Sequence, residues 1–142
     1  MASFDDPAID TAPEGRVDRE RELFRDVVVL VVEDDFIVAF DMQTLLEERG
    51  ARVIGPASTL AEASALVAQH APDVALLDVN LNGEFVFPVA DQLRARGVPF
   101  AFATAYADDD RIFPPALRTI PRLAKPVLPS LLVGQLRRLI GR

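Results

Sequence analysis

Asp73-Val74-Ala75-Leu76-Leu77-Asp78-Val79-Asn80 is the stretch on which the reading of this chain turns. Val74 to Leu77 run without polar relief, as expected of a strand covered on both faces. A lone carboxylate, Asp78, stands where that strand should end. Upstream, Val27-Val28-Val29-Leu30-Val31-Val32 ends in Glu33-Asp34-Asp35. Downstream, Phe100-Ala101-Phe102-Ala103 ends in Thr104, and Ile120 to Ala124 ends in Lys125-Pro126. In open parallel sheets, ligands and reacting groups gather beyond the C-terminal edge of the strands. Acids, one hydroxyl and one ammonium converging there point to a divalent-cation site beside a phosphorylatable aspartate.

Amphipathic stretches separate the apolar runs. Phe36 to Arg49 places Ile37, Val38, Phe40, Met42, Leu45 and Leu46 largely on one helical face, and Gly50 supplies a stop. Arg52-Val53-Ile54 is short and strand-like, and Ser58 or Thr59 can cap a helix running through His70. Asn80 to Glu84 reads as a polar loop, and Val86 to Arg96 as a helix closed by Gly97 with Pro88 in its first turn. Leu128 to Ile140 is the last helix expected. Strands alternating with helices predict a parallel sheet with helices on both faces. Between Tyr106 and Thr119 the rhythm fails, because Pro114-Pro115 remove two donors and push the preceding residue out of helical geometry. A short helical turn or a mobile loop is expected there.

Composition narrows the function classes. The 142 residues suffice for one domain with one core, and half of them are hydrophobic. A formal charge of −7 disfavours nucleic acid as a partner. There is no cysteine, which removes disulfides and thiolate metal sites. No apolar stretch reaches the roughly 20 residues of a membrane span, and the acidic N-terminus lacks a signal-peptide core. A cytoplasmic location is the expectation, with no membrane partner. Residues 1–26 read as a flexible arm with a short helix at 17–26, and 27–142 as the folded domain.

Glu33, Asp34 and Asp78 are hard oxygen donors of the kind Mg²⁺ takes together with waters. Like charges crowded together favour a cation between them. Lys125 and Thr104 could then bind phosphoryl oxygens while Asp78 acts as nucleophile and forms an acyl phosphate. Each piece also has a plain structural reading. Asp34 or Asp35 could cap the helix that follows, and His70 reads as a solvated helix end. Asp108-Asp109-Asp110 reads as a solvated charge run, and Phe85-Val86-Phe87 as core packing. It is the ordered set of all the pieces that is specific.

That set resembles the receiver domains of bacterial two-component response regulators, over roughly Val27 to Leu139. The resemblance implies a flavodoxin-like (CheY-like) doubly wound fold with five parallel strands, helices on both faces, and a fourth helix that is short or disordered. It implies Glu33 and Asp34 as the acidic pair, with Asp34 a direct Mg²⁺ ligand, and Asp78 as phosphoacceptor and metal ligand. Asn80 would complete the metal shell through its carbonyl, Thr104 would be the switch hydroxyl, and Lys125 would contact the phosphate. Lys125-Pro126 would be a cis peptide. Pro99-Phe100-Ala101-Phe102-Ala103-Thr104-Ala105-Tyr106 further resembles the PFxFATGY motif of single-domain receivers linked to general stress signalling, with Ala105 in place of glycine. Thr104, Ala105 and Tyr106 would form the switch. Arg122 stands where most receivers carry an aromatic switch residue, so Tyr106 is a candidate substitute.

The implied function is a single-domain response regulator. It would take a phosphoryl group from a histidine kinase or phosphotransfer protein, then switch a protein partner or act as shuttle or sink. It would be a phosphoacceptor and not an enzyme acting on other substrates, and is expected to be a monomer. The rival reading is an unphosphorylated receiver-like interaction module. A haloacid-dehalogenase-type phosphatase would want a second aspartate where Asn80 stands. A flavodoxin-like nucleotide binder would want a phosphate loop after Val32, and none is present.

Overall fold

A computed structural model describes residues 19–142. Among these residues, parallel strands β1 (Val28–Val32), β2 (Arg52–Ala57), β3 (Val74–Asp78), β6 (Phe100–Thr104) and β7 (Arg122–Ala124) form one sheet in the order β2-β1-β3-β6-β7. The α-helices are α1 (Phe36–Glu47), α2 (Leu60–Gln69), α3 (Phe87–Ala95) and α4 (Pro129–Ile140). The strand order reverses between β1 and β3, so the crevice lies where Glu33 and Asp78 emerge.

All five residues of β3 and of β6 are buried, which explains their unbroken apolar runs. The sheet separates two cores. One, under α2 and α3, contains Leu30, Leu77, Val89, Leu93, Phe102, Phe113 and Leu117. The other, under α1 and α4, contains Phe24, Val29, Val31, Leu46, Leu76, Leu132 and Leu136. Phe24 lies within the stretch read as an arm, yet it is fully buried and its N–H donates to the Arg49 carbonyl at 2.8 Å. Burying such a side chain contributes about 1.5–3 kcal/mol, enough to pin the segment to the sheet. Arg19–Arg21 are helical and the chain turns through 22–26. The rest of the expected arm, including the start of the 17–26 helix, lies outside the described residues.

Two local features differ from the expectations, and a third agrees with them. β2 continues beyond Ile54 to Ala57 through a cis Gly55–Pro56 bond, and its pairing with β1 shifts register there. The 80–84 loop is a small hairpin, β4 (Asn80–Leu81) against β5 (Glu84–Phe85). Asn82 and Gly83 form its turn with φ of 52° and 91°, the chemistry of a tight two-residue connection. Between β6 and β7, two 3₁₀ turns (Asp110–Ile112 and Pro115–Leu117) take the place of a full helix. Pro115 opens the second turn, where its missing N–H costs least.

Candidate functional site

The acidic corner is built by strand ends and one helix cap. Glu33 leaves β1 with its N–H bonded to the Ala57 carbonyl at 2.8 Å, and its side chain is buried. Asp35 caps α1: its Oδ1 accepts from the N–H groups of Ile37 (3.0 Å) and Val38 (3.2 Å). Capping thus falls to Asp35 and leaves Glu33 and Asp34 free to face the crevice. Asp34 Oδ2 accepts the Asn82 N–H at 2.8 Å, which ties the first corner to the hairpin. Asp78, at the end of β3, is 7% exposed. One carboxylate oxygen from each of Glu33, Asp34 and Asp78 lies within 4.8 Å of the others.

Lys125 completes the cluster from the end of β7. Its Nζ lies 2.6 Å from Glu33 Oε1 and 3.3 Å from Asp78 Oδ2. The bond from Lys125 to Pro126 is cis. Thr104 is buried at the end of β6, next to β3, whose Asp78 registers with Ala103. Its Oγ1 accepts the Tyr106 N–H at 2.9 Å. Ala105 and Tyr106 are exposed, and it is the backbone N–H of Tyr106 that engages Thr104. The Asn80 side chain holds the hairpin by accepting the Gly83 N–H at 2.7 Å, and the Asn80 N–H faces Asp78 Oδ1 at 3.4 Å.

Electrostatics distinguish the acids. The Asp78 carboxyl is pushed up to about 8, chiefly by burial, then by hydrogen bonding and charge repulsion from Glu33, with Lys125 pulling the other way. Burial also disfavours charge on Asp34, but hydrogen bonds from Asp78 and from the Asn82 N–H outweigh it and hold Asp34 below its usual value. Burial opposes the charge on Lys125 too, yet its hydrogen bond to Glu33 and the charges of Asp78 and Glu33 raise it. Burial and the neighbouring Glu33 thus favour the neutral form of Asp78 when no cation is bound.

A divalent cation fits this donor set. Three carboxylates with oxygens within 4.8 Å of one another repel unless positive charge lies between them, and hard oxygen donors at the edge of a cleft suit Mg²⁺. A cation there would displace the proton and release Asp78 as a carboxylate.

The remaining sequence candidates fall elsewhere. His70 is the C-terminal cap of α2. Val86 is buried, Phe87 packs on the core, and Phe85 stacks on Phe87 while 46% exposed. Asp109 pairs with Arg111 at 3.0 Å and Asp110 with Arg122 at 2.6 Å, within a run that stays largely exposed. The Asn82 tether on Asp34 was not anticipated. The Asn82-Gly83 dipeptide was the available sign of a hairpin, but not of what its N–H would reach.

The description "response regulator receiver domain" belongs to the family model that matches residues 29–136. Curated relatives include the phyllosphere-induced regulator PhyR of Methylorubrum extorquens, 34% identical over 93 residues, covering 62% of this chain and 35% of that protein. The transcriptional regulatory protein PdtaR of Mycobacterium tuberculosis is 27% identical over 85 residues, covering 59% of this chain and 42% of that one. The chain thus spans less than half the length of these relatives. The solution structure of SdrG from Sphingomonas melonis Fr1 is 36% identical with a TM-score of 0.69, covering 80% of this chain and 96% of that one. The receiver domain of the sensor histidine kinase PA1611 from Pseudomonas aeruginosa has a magnesium ion coordinated in its active-site cleft. It is 26% identical with a TM-score of 0.70, covering 82% of this chain and 98% of that one. With a match across most of its length, a five-stranded parallel sheet and an acidic crevice at the strand ends, this chain belongs to the response regulator receiver domain family.

Proposed function

We propose that the chain accepts a phosphoryl group on Asp78 from a phosphohistidine of a kinase or phosphotransfer protein. The observation that carries this reading is the Lys125 ammonium, 3.3 Å from Asp78 in a crevice shared with Glu33 and Asp34. An Asp78 oxygen attacks phosphorus, the P–N bond breaks, and the departing imidazole keeps the electron pair and takes up a proton. Lys125 is placed to hold a phosphoryl oxygen beside Asp78, and Thr104 can donate its hydroxyl proton to another. Glu33, Asp34, Asp78 and the Asn80 carbonyl would hold Mg²⁺, which supplies positive charge opposite Lys125.

A donor of this kind must approach Asp78 closely, so it covers the rim of the crevice. That rim carries unusual apolar surface: Phe36, Ile37 and Phe40 on α1 are 82%, 71% and 60% exposed. On the other side of α1, a groove of about 470 Å³ runs past Val38, Met42, Leu45, Val127 and Leu132 to Lys125. Apolar surface of this extent beside the crevice favours a protein donor over a small metabolite. Thr104 and the 105–119 segment form the switch, which closes on the phosphorylated aspartate and changes the surface offered to a protein partner. The Pro99–Tyr106 motif, which resembles that of single-domain receivers linked to general stress signalling, supports a place there as switch, shuttle or sink. The protein works as a cytoplasmic monomer, catalysing only its own phosphorylation and dephosphorylation. Among the described residues, no helix is long and apolar enough to cross a membrane.

Intact-mass measurement tests this reading. Incubation with a phosphorylated histidine kinase or acetyl phosphate, with Mg²⁺, is expected to add about 80 Da, the mass of one phosphoryl group on a carboxylate. The adduct should vanish with chelator. An unmodified mass under conditions that label another receiver would leave the protein as an interaction module only.

A further inference from the structure

Arg122 lies on β7 opposite Phe102 and reaches across the connection between β6 and β7. Its Nη1 donates to the Ala107 carbonyl at 3.0 Å and pairs with Asp110 Oδ1 at 2.6 Å. Its Nη2 donates to the Arg118 carbonyl at 3.2 Å, and its guanidinium carbon sits 3.9 Å from the centre of the Phe113 ring. The side chain is only 11% exposed, and its Nε is buried without a hydrogen-bond partner. A buried guanidinium that leaves one donor unsatisfied is held there by its other contacts. Those contacts gather both ends and the middle of a segment whose regular structure amounts to two 3₁₀ turns.

One of these contacts leads to the crevice. Ala107 directly follows Tyr106, whose N–H donates to Thr104 Oγ1 at 2.9 Å. That bond occupies a lone pair of the hydroxyl and leaves its proton to be donated elsewhere. Thr104 is thereby poised as a donor towards a phosphoryl oxygen, and its poise depends on how the two-residue backbone from the Tyr106 N–H to the Ala107 carbonyl is held. Arg122 holds it. We propose that Arg122 is a positioning residue for Thr104: through the Ala107 carbonyl it fixes the Tyr106 N–H that orients the Thr104 hydroxyl, and through Asp110 and Arg118 it couples that hydroxyl to the exposed 3₁₀ segment. The arrangement requires a planar, multi-pronged cation. Lysine, a single point charge, cannot bond Ala107, Asp110 and Arg118 together while lying over Phe113.

The proposal rests on Asp78 being the phosphoacceptor, and a double-mutant cycle on phosphoryl loading separates the two ideas. With acetyl phosphate and Mg²⁺, an Asp78 oxygen displaces acetate from phosphorus, and the rate of adduct formation is followed by intact mass. Arg122→Met is expected to slow loading about 10-fold in the native background, the size of one lost transition-state hydrogen bond, and less than about 2-fold in a Thr104→Val background. Arg122→Lys should recover only a small part of the loss. Equal slowing in both backgrounds would overturn the proposal, since Arg122 would then act without Thr104. Asp110→Asn, a milder change at an exposed side chain, should slow loading about 2-fold in the native background alone and serves if Arg122→Met does not fold. If the native protein takes up no phosphate at all, the function proposed above fails, and amide exchange still decides the role of Arg122. Arg122→Met should speed exchange at Tyr106 about 10-fold while leaving Val31 and Leu76 unchanged; an unaltered Tyr106 would refute it.

Discussion

The acidic corner and the connection between β6 and β7 stand on the same edge of the sheet but are held by different kinds of bond. Glu33 follows β1 and Asp78 ends β3, central strands that are buried but for Val28, and main-chain hydrogen bonds from Asn82 and Asp35 fix the carboxylates of Asp34 and Glu33. The 105–121 connection is lashed down by arginine side chains. Arg122 bonds Ala107, Asp110 and Arg118, while Arg118 Nε donates to the carbonyls of Asp110 (3.2 Å) and Phe113 (3.1 Å). Opening the first region breaks the sheet. Opening the 105–112 part of the second breaks chiefly the hydrogen bonds of Arg122 and Arg118, each worth about 0.5–1.5 kcal/mol, while Phe113 and Leu117 anchor the rest in the core. A receiver needs this division, with a rigid place for chemistry beside a segment that a small free energy can rearrange.

The sharpest way to break the comparison is at the nucleophile. Asp78→Asn should abolish the phosphoryl adduct altogether while preserving the fold, because the amide retains the volume and loses the attacking oxygen; a surviving adduct would place the chemistry elsewhere. Lys125→Met should leave Asp78 reactive but slow loading by about 100-fold, the scale of losing one preorganised electrostatic partner. Intact-mass time courses measure both.

Amide exchange addresses the two regions directly. Without ligand, protection at 105–112 should lie about 10- to 100-fold below that of β1 and β3, reflecting local opening against global unfolding. A beryllofluoride phosphate mimic with Mg²⁺ should raise it at Thr104 to Thr119 and leave the strands unaltered. Equal protection in both regions from the outset would remove the division. Stability offers a further check. Without metal, Asp78→Asn should raise the unfolding free energy by about 1 kcal/mol and the midpoint by about 3–5 °C, because it removes a buried acid that repels Glu33. Saturating Mg²⁺ should erase this advantage by stabilising only the protein that keeps all three carboxylates. The smallest effect belongs to Arg118→Ala, expected to lower global stability by less than about 1 kcal/mol while speeding exchange at Phe113. A loss as large as that of a core truncation would show the connection to be part of the rigid scaffold.

Much of the fold was legible because it depends on local periodicity. Buried strands read as unbroken apolar runs, helices as 3.6-residue faces, and Pro114-Pro115 as a bar to a full helix. The extension of β2 was hidden by Gly55-Pro56, a pair that normally signals a turn. The hairpin at 80–85 was hidden by its length, since two-residue strands show no alternation. Within the crevice, residue chemistry named the groups at the strand ends, while their division of labour came only from the family resemblance. Asp34 and Asp35 are equivalent on paper; only the entry angle of α1 gives the cap to Asp35 and the crevice to Asp34.

The sequence by itself determined which side chains emerge at the C-terminal edge of a buried parallel sheet, because strand period, strand ends and helix stops are read from neighbours along the chain. Tertiary structure alone decided how the charges of the crevice bear on one another and which arginine grips the connection between β6 and β7. Glu33 and Lys125 are 92 positions apart and Arg122 and Ala107 are 15 apart, yet both pairs are in hydrogen-bond contact. Their energies depend on distance and burial in the folded chain, quantities that no local pattern of residues contains.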